Sequence, residues 1–132
     1  MYLGAQVNDY FAPSVQIGDG KAEVSIEVRP DFFHAANAVH GYLYFKLLDD
    51  ASFFAVNSLV EQVFVLTVSF NLHFTRPVTK GVMVATAEVV HRSKRLFIAE
   101  GTVVDSRDRV VGRGTGTFMR SDIPLTPEVG YR

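Results

Sequence analysis

The chain has no cysteine among its 132 residues, which excludes disulfides, thiolate nucleophiles and cysteine-based zinc sites together. It also lacks an excess of charge of either sign: 13 Lys and Arg against 14 Asp and Glu leave a formal net charge of -1. A nucleic-acid partner, which calls for a basic surplus to displace counterions from phosphates, is not indicated. No apolar run approaches the roughly 20 residues that span a bilayer, because Lys46, Asp49 and Asp50 interrupt the best candidate. The first nine residues have neither the basic start nor the apolar stretch of a secretory leader. A cytoplasmic protein with no membrane partner is the expectation. With 48% hydrophobic and 20% charged residues, the chain can form one core but is short for two. A single domain over 1–132 is expected, with a short N-terminal segment at 1–20 and an irregular tail at 121–132.

What is present is a change of period along the chain. Tyr2 to Phe11 has the apolar spacing for one or two helical turns before Pro13. After Gly18-Asp19-Gly20, the run Ala22-Glu-Val24-Ser-Ile26-Glu-Val28 alternates small or apolar with polar residues, the period of a half-buried strand. From Tyr42 to about Val60 there is neither glycine nor proline, and apolar residues occur almost all round, which predicts a buried helix. Phe64 to Thr75 then places apolar residues at even positions and, from Thr67, polar ones at odd positions. That predicts a strand with Thr67, Ser69, Asn71 and His73 on one polar face. Three more strands follow, over Val82–His91, Leu96–Val104 and Arg109–Met119, separated by short turns. The order implies an α+β domain in which an antiparallel sheet wraps one long helix. The sheet's edges and outer face then need a partner or a polar coat, and oligomerisation is expected.

Two adjacent acids in the most apolar helix demand a reason, since aspartate is a poor helix former and its charge is costly to bury unpaired. Neighbours on a helix point about 100° apart, so Asp49 and Asp50 meet different surroundings. Lys46 stands four residues before Asp50, the spacing of an ion pair. For Asp49 two readings stand: the same solvated stripe, or a cleft in which a carboxylate does acid–base or nucleophilic work. His40 and Gly41 precede the helix, and its first amides lack partners and favour negative charge. His40 is accounted for equally well as a helix-entry residue satisfied by local backbone. Gly41 and Asp49 are about 12 Å apart along the axis by helix rise, too far to share one carbonyl unless they meet across a symmetric dimer.

Other candidates are weaker. The four histidines, His34, His40, His73 and His91, show no metal-ligand spacing, and no metal or redox cofactor is expected. Gly112-Arg-Gly114-Thr-Gly116 has the look of a phosphate loop but lies within a strand, where its glycines leave room for the aromatic-rich helix. Arg92, Lys94 and Arg95 form a basic turn, either an ordinary solvated one or a holder for the phosphates of a large anionic ligand.

Taken together, these features resemble the hotdog-fold acyl-CoA thioesterases of the phenylacetate-degradation type, over about Ala22 to Met119. The best local match is His40-Gly41-x-x-x-Phe45-x-Leu47-x-Asp49-x-Ala51, followed by Asn57-Ser58. Thr75-Arg76-Pro77, His91-Arg92-Ser93-Lys94 and Gly114-Thr115-Gly116-Thr117-Phe118 agree with later strands. The resemblance implies acyl-CoA hydrolysis by a homodimer or homotetramer, with no cofactor. It implies that Asp49 activates water or attacks the thioester, that the Gly41 amide polarises the carbonyl beside His40, and that Thr67 assists the water. Arg92, Lys94 and Arg95 would be available to the CoA phosphates. The chain departs from the family pattern twice. Tyr42 replaces a second glycine and puts a ring at the acyl pocket, and His34 stands where the family usually carries asparagine. A non-catalytic acyl-CoA or fatty-acyl binding module is the alternative those departures suggest.

Overall fold

A computed structural model describes residues 5–60 and 63–124 of the chain. In chain order the elements are α1 (Gln6–Phe11), β1 (Ser14–Gly18), β2 (Lys21–Glu27), a 3-10 turn (Pro30–Phe32), α2 (Gly41–Asn57), β3 (Val63–Phe74), β4 (Val82–Arg92), β5 (Leu96–Val104) and β6 (Val110–Pro124). The strands form one six-stranded sheet in the order β1-β2-β4-β5-β6-β3, and every neighbouring pair is antiparallel. Its inner face wraps α2, which gives the α+β hotdog architecture.

The alternation in β2 settles which face is which: Ala22, Val24 and Ile26 are buried, and the residues between them are not. From β4 and β5, Met83, Ala85, Ala87, Ala99 and Val103 join them against Leu43, Leu47, Leu48, Ala51 and Ala55 of α2. Each such fully buried leucine contributes about 1.5–3 kcal/mol by removal from water. The helix ends where Ser58 donates its hydroxyl to the Ala55 carbonyl, while the Gly20 amide donates to Ser58 Oγ at 2.8 Å. The β1–β2 turn is thereby clasped to the end of α2.

Three expectations are corrected. β1 was not apparent in the sequence, because Ser14–Gly18 is a largely exposed edge strand of five residues whose alternation amounts to only Val15 and Ile17. The last strand runs on to Pro124, so residues 121–124 of the expected irregular tail belong to the sheet, and the rest of that tail lies outside the described residues. The helical turns expected before Pro13 are present as α1 over Gln6–Phe11, with Tyr2 outside the described residues, and Phe11 stacks on Phe32 near the start of α2. The polar face expected of β3 is broken. A bulge between Thr67 and Ser69 inserts Val68, so odd positions face the helix before it and even positions after it.

The glycines of β6 make room, as anticipated, although mostly for a strand rather than for the helix. A Cβ at Gly114 would lie 2.6 Å from the Phe70 ring, and one at Gly116 would lie 2.7 Å from the rings of both Phe70 and Phe118. Only Gly112 yields to the helix, through Tyr44. Phe118 is fully buried and cannot retreat. Gly116→Ala is therefore expected to lose about 1–3 kcal/mol by overpacking, measured by urea unfolding. Combined with Phe70→Leu, the total loss should be smaller than the sum of the two single losses.

Candidate active site

Asp49 lies two turns into α2, on the side turned toward the sheet edge at β3. Its Oδ1 accepts a hydrogen bond of 2.7 Å from the Thr67 hydroxyl. That contact exists because of the bulge: without Val68 as the inserted residue, Thr67 would share the outer face with Ser69 and Asn71. Burial pushes the Asp49 carboxyl above the ordinary carboxylate range. The Thr67 hydroxyl opposes that, Asp50 adds to it and Lys46 opposes it. Asp50 is otherwise engaged, its Oδ2 lying 2.7 Å from Lys46 Nζ in the expected four-residue pair. The two acids thus divide as their 100° separation requires, one to a cation and one to a hydroxyl.

Aromatic rings bracket Asp49. One turn before it, Phe45 meets Phe70 edge-on at 5.6 Å, and one turn after it, Phe53 lies 6.2 Å from Phe64. These four rings were not singled out from the sequence as site residues. The signal available was the spacing of Phe45 and Phe53 four residues either side of Asp49, which reads equally well as core. Phe45 is 41% exposed, so it lines an open wall rather than filling the core.

The helix entry is a separate place on the same chain. His40 is the N-cap of α2, and its Nδ1 accepts the Tyr42 amide at 3.2 Å, so the local-backbone reading of this residue is the one its geometry fits. His34 caps its own turn in the same way, accepting the Ala36 amide at Nδ1. A ring nitrogen that accepts carries no proton, so each neutral imidazole presents Nε2–H outward as a donor. Among the described residues the Gly41 amide has no acceptor, as befits a first helical N–H. A hollow of about 430 Å³ beside it is lined by His34, Gly41, Tyr44, Phe74 and Arg76 among others. The Phe74 ring packs so closely that a Cβ on Gly41 would stand 2.9 Å from it. Tyr42 is partly exposed and its ring leans on His40 and Phe11, at 5.0 and 6.0 Å between centroids.

The structure brings Thr67 to Asp49, and His34 to the hollow beside Gly41, but it does not bring those two groups together within one chain. Nor does the basic turn reach Asp49. Thr67, Phe118, Phe97 and Arg92 lie in one row across β3, β6, β5 and β4. That row sets Arg92 about 14 Å from Thr67 at ordinary strand spacing. Arg92, Lys94 and Arg95 are all exposed at the same end of the sheet as Asp49. Among the described residues no group of three or more His, Asp or Glu side chains is placed to hold a metal ion, and no helix is long and apolar enough to cross a membrane.

Comparison with known proteins agrees with this architecture. A Mycobacterium tuberculosis protein named "Putative esterase MT1895" is 33% identical over 103 residues, covering 75% of this chain and 74% of that one. The solved structure of that esterase superposes with a TM-score of 0.83 at 26% identity, covering 89% of this chain and 97% of the other. The Escherichia coli PaaI protein, from the phenylacetic acid degradation operon, shares the fold at a TM-score of 0.87 and 23% identity, with 96% and 91% of the two chains covered. The family model of the thioesterase superfamily matches residues 36–112, from the turn before α2 into β6. The chain belongs to the thioesterase superfamily.

Proposed function

We propose that this protein is an acyl-CoA thioesterase, hydrolysing its substrate to the free acid and CoA in a site shared between two copies of the chain. The observation that carries the reading is the Asp49–Thr67 pair: a half-buried carboxylate held by a hydroxyl in an aromatic-walled cleft at an open sheet edge. With Oδ1 engaged by Thr67, Oδ2 is left for a water molecule, and the lone pairs of the threonine oxygen can accept one of that water's protons. Asp49 takes the other proton as general base while the water oxygen adds to the thioester carbonyl. The oxyanion that forms is stabilised by the Gly41 amide of the second copy, at the anion-favouring start of α2, with the His34 Nε2–H as a further donor at the same hollow. Collapse expels the CoA thiolate, which takes the proton from Asp49. His40 positions the entry by capping it, and Tyr42 shapes the mouth of the acyl pocket. Arg92, Lys94 and Arg95 hold the CoA phosphates at the end of the sheet.

Thiol release from a panel of acyl-CoAs tests the reading directly. Asp49→Ala is expected to lower kcat about 10²–10⁴-fold, and saturable binding without turnover by the wild type would identify the non-catalytic module instead. In a single turnover in H₂¹⁸O, a general base delivers ¹⁸O to the first product, whereas a nucleophilic Asp49 whose acyl anhydride is opened by water at Cγ delivers ¹⁶O from its own carboxylate and takes ¹⁸O into the protein. Replacing Arg92, Lys94 and Arg95 together by alanine should raise KM for CoA thioesters while leaving hydrolysis of the truncated N-acetylcysteamine thioesters unchanged.

The raised Asp49 carboxyl sets the sign of two pH effects. A base works only when deprotonated, so kcat/KM should fall as pH drops through a midpoint above the usual aspartate range. Thr67→Val removes a group that holds the carboxyl down, so that acid limb should move to higher pH. The same burial makes the charge a cost to the fold: a raised folded-state pKa means that protonation favours the native state. Asp49→Asn should therefore melt at a higher temperature than wild type near pH 8 while losing activity. The difference should shrink as the pH is lowered through the Asp49 midpoint.

A further inference from the structure

The two donors assigned to the oxyanion, the Gly41 amide and the His34 Nε2–H, belong to one short stretch of chain, residues 32–41. Its inner side is pinned to the body of the protein, since Phe33 bridges Val39 and the Val39 amide donates to the Val78 carbonyl at 2.9 Å. At its base the His40 amide donates to the Phe32 carbonyl at 2.8 Å. Gly41 has no side chain with which to anchor itself. The direction of its amide therefore follows from His40, and His40 hangs on Phe32.

Phe32 is fully buried, and α1 is what covers it. Phe11 stacks on Phe32 at 5.6 Å with the ring planes 24° apart, and Tyr10 meets the same ring edge-on at 5.4 Å. Phe11 also reaches α2 itself: Tyr42 lies 6.0 Å away, and Lys46 Nζ stands 5.3 Å over the ring. Tyr42 in turn leans on His40 at 5.0 Å. Arg29 fastens α1 from the other side. Its guanidinium lies 5.0 Å from the Tyr10 ring and 4.5 Å from that of Phe32, within cation–π range of both, and it donates to the Tyr10 carbonyl. The Tyr10 hydroxyl donates to the Asp31 carbonyl at 3.2 Å.

The grip of α1 on the fold is narrow and is directed at this helix entry. The helix is six residues long, pairs with no strand and buries only Asn8 and Phe11. It stops at Ala12, whose φ of 49° is a left-handed conformation that alanine adopts at a cost and keeps only where its surroundings enforce it. The stop leaves Phe11, the last helical residue, over Phe32.

We infer that α1 is a positioning strap of the active site: Phe11, packed on Phe32, Tyr42 and Lys46, holds the 32–41 stretch in the geometry that aims its two donors at the oxyanion. Phe11 touches no reacting atom and acts through Phe32 and His40. The inference rests on the oxyanion reading of Gly41 and His34, and adds to it a role for the N-terminal helix.

Two readouts together separate positioning from plain stability. Phe11→Ala should lower kcat for acyl-CoA hydrolysis at least about tenfold, because misplacement of a donor weakens transition-state binding, while KM stays within about twofold of wild type. Phe11→Tyr keeps the stacked ring and should restore kcat, and Val7→Ala, on the exposed side of α1, should match wild type. Amide hydrogen exchange followed by NMR reads the entry without any substrate. In Phe11→Ala the His40 amide and the Tyr42 amide, which donates to His40 Nδ1, should exchange faster while amides of β4 and β5 keep their wild-type rates. Should Phe11→Ala fail to fold, Arg29→Gln loosens the same strap at a partly exposed site and should move both readouts in the same direction. Lost activity with unchanged exchange at His40 and Tyr42 overturns the inference, as does faster exchange there with unchanged kcat. A raised KM at unchanged kcat also overturns it, since Phe11 would then belong to the binding surface. Faster exchange in a chain whose wild type cleaves no thioester would keep the hold of α1 on the entry and reject the enzymatic reading.

Discussion

One inserted residue governs how this molecule presents its chemistry. A strand has a period of two, and a single extra position exchanges the two faces for everything beyond it. In β3 the exchange falls between Thr67 and Ser69, so a threonine that belongs by sequence to the polar outer surface reaches the helix and bonds Asp49. The cost is a locally disrupted ladder with β6, tolerated because β3 is the edge strand and no strand of the same chain lies on its other side to be misaligned. Phe70, one residue beyond the bulged pair, closes the gap by lying across the glycines of β6. The bulge, the glycine stripe and the Asp49 hydrogen bond are parts of one arrangement.

The environment of Asp49 sets two requirements against each other. Burial of the carboxylate raises its affinity for a proton and weakens the fold in its ionised form. The Thr67 hydroxyl and the Lys46 ammonium pull the other way, and Lys46 is already committed to Asp50 at 2.7 Å. A carboxylate tuned only for stability would be neutralised by that lysine directly. Here the lysine's direct partner is the adjacent acid, and Asp49 keeps a free oxygen. Separating two neighbouring acids by helix geometry lets one take the cation while the other is held by a hydroxyl.

How much of this was legible in the sequence depends on the range over which each signal acts. The helix, β2 and the later strands are written in local periodicity, and the Lys46–Asp50 pair follows from a spacing of four. Asp49 stood out as an anomaly in an apolar run, and the resemblance of its surroundings to a known family gave the anomaly a meaning. β1 was missed because it is five residues long, and two apolar residues, Val15 and Ile17, are too short an alternation to stand out beside Pro13 and the Gly18–Gly20 turn. Thr67 is a candidate site residue only through the resemblance, and its periodicity assigns it to the wrong face, because a bulge leaves no mark in composition and depends on how β6 pairs some fifty positions later. The rings of Phe45, Phe53, Phe64 and Phe70 were visible as apolar residues, but their arrangement around a carboxylate emerges only once strand and helix are packed.

The order of the strands in the sheet has a consequence for how the chain is made. β3 follows the helix immediately in sequence, but its hydrogen-bonded neighbour is the last strand, β6, with β4 and β5 lying between them in the chain. As synthesis proceeds from the N-terminus, β1, β2, α2 and then β4 and β5 can assemble while β3 is still without a neighbour on either side. An uncharged, largely apolar strand left in that state is open to pairing with other nascent chains. The emergence of β6 ends this exposure on one side only. This apolar edge is thus also the segment most exposed to mispairing during folding, and the time taken to reach β6 sets how long that exposure lasts.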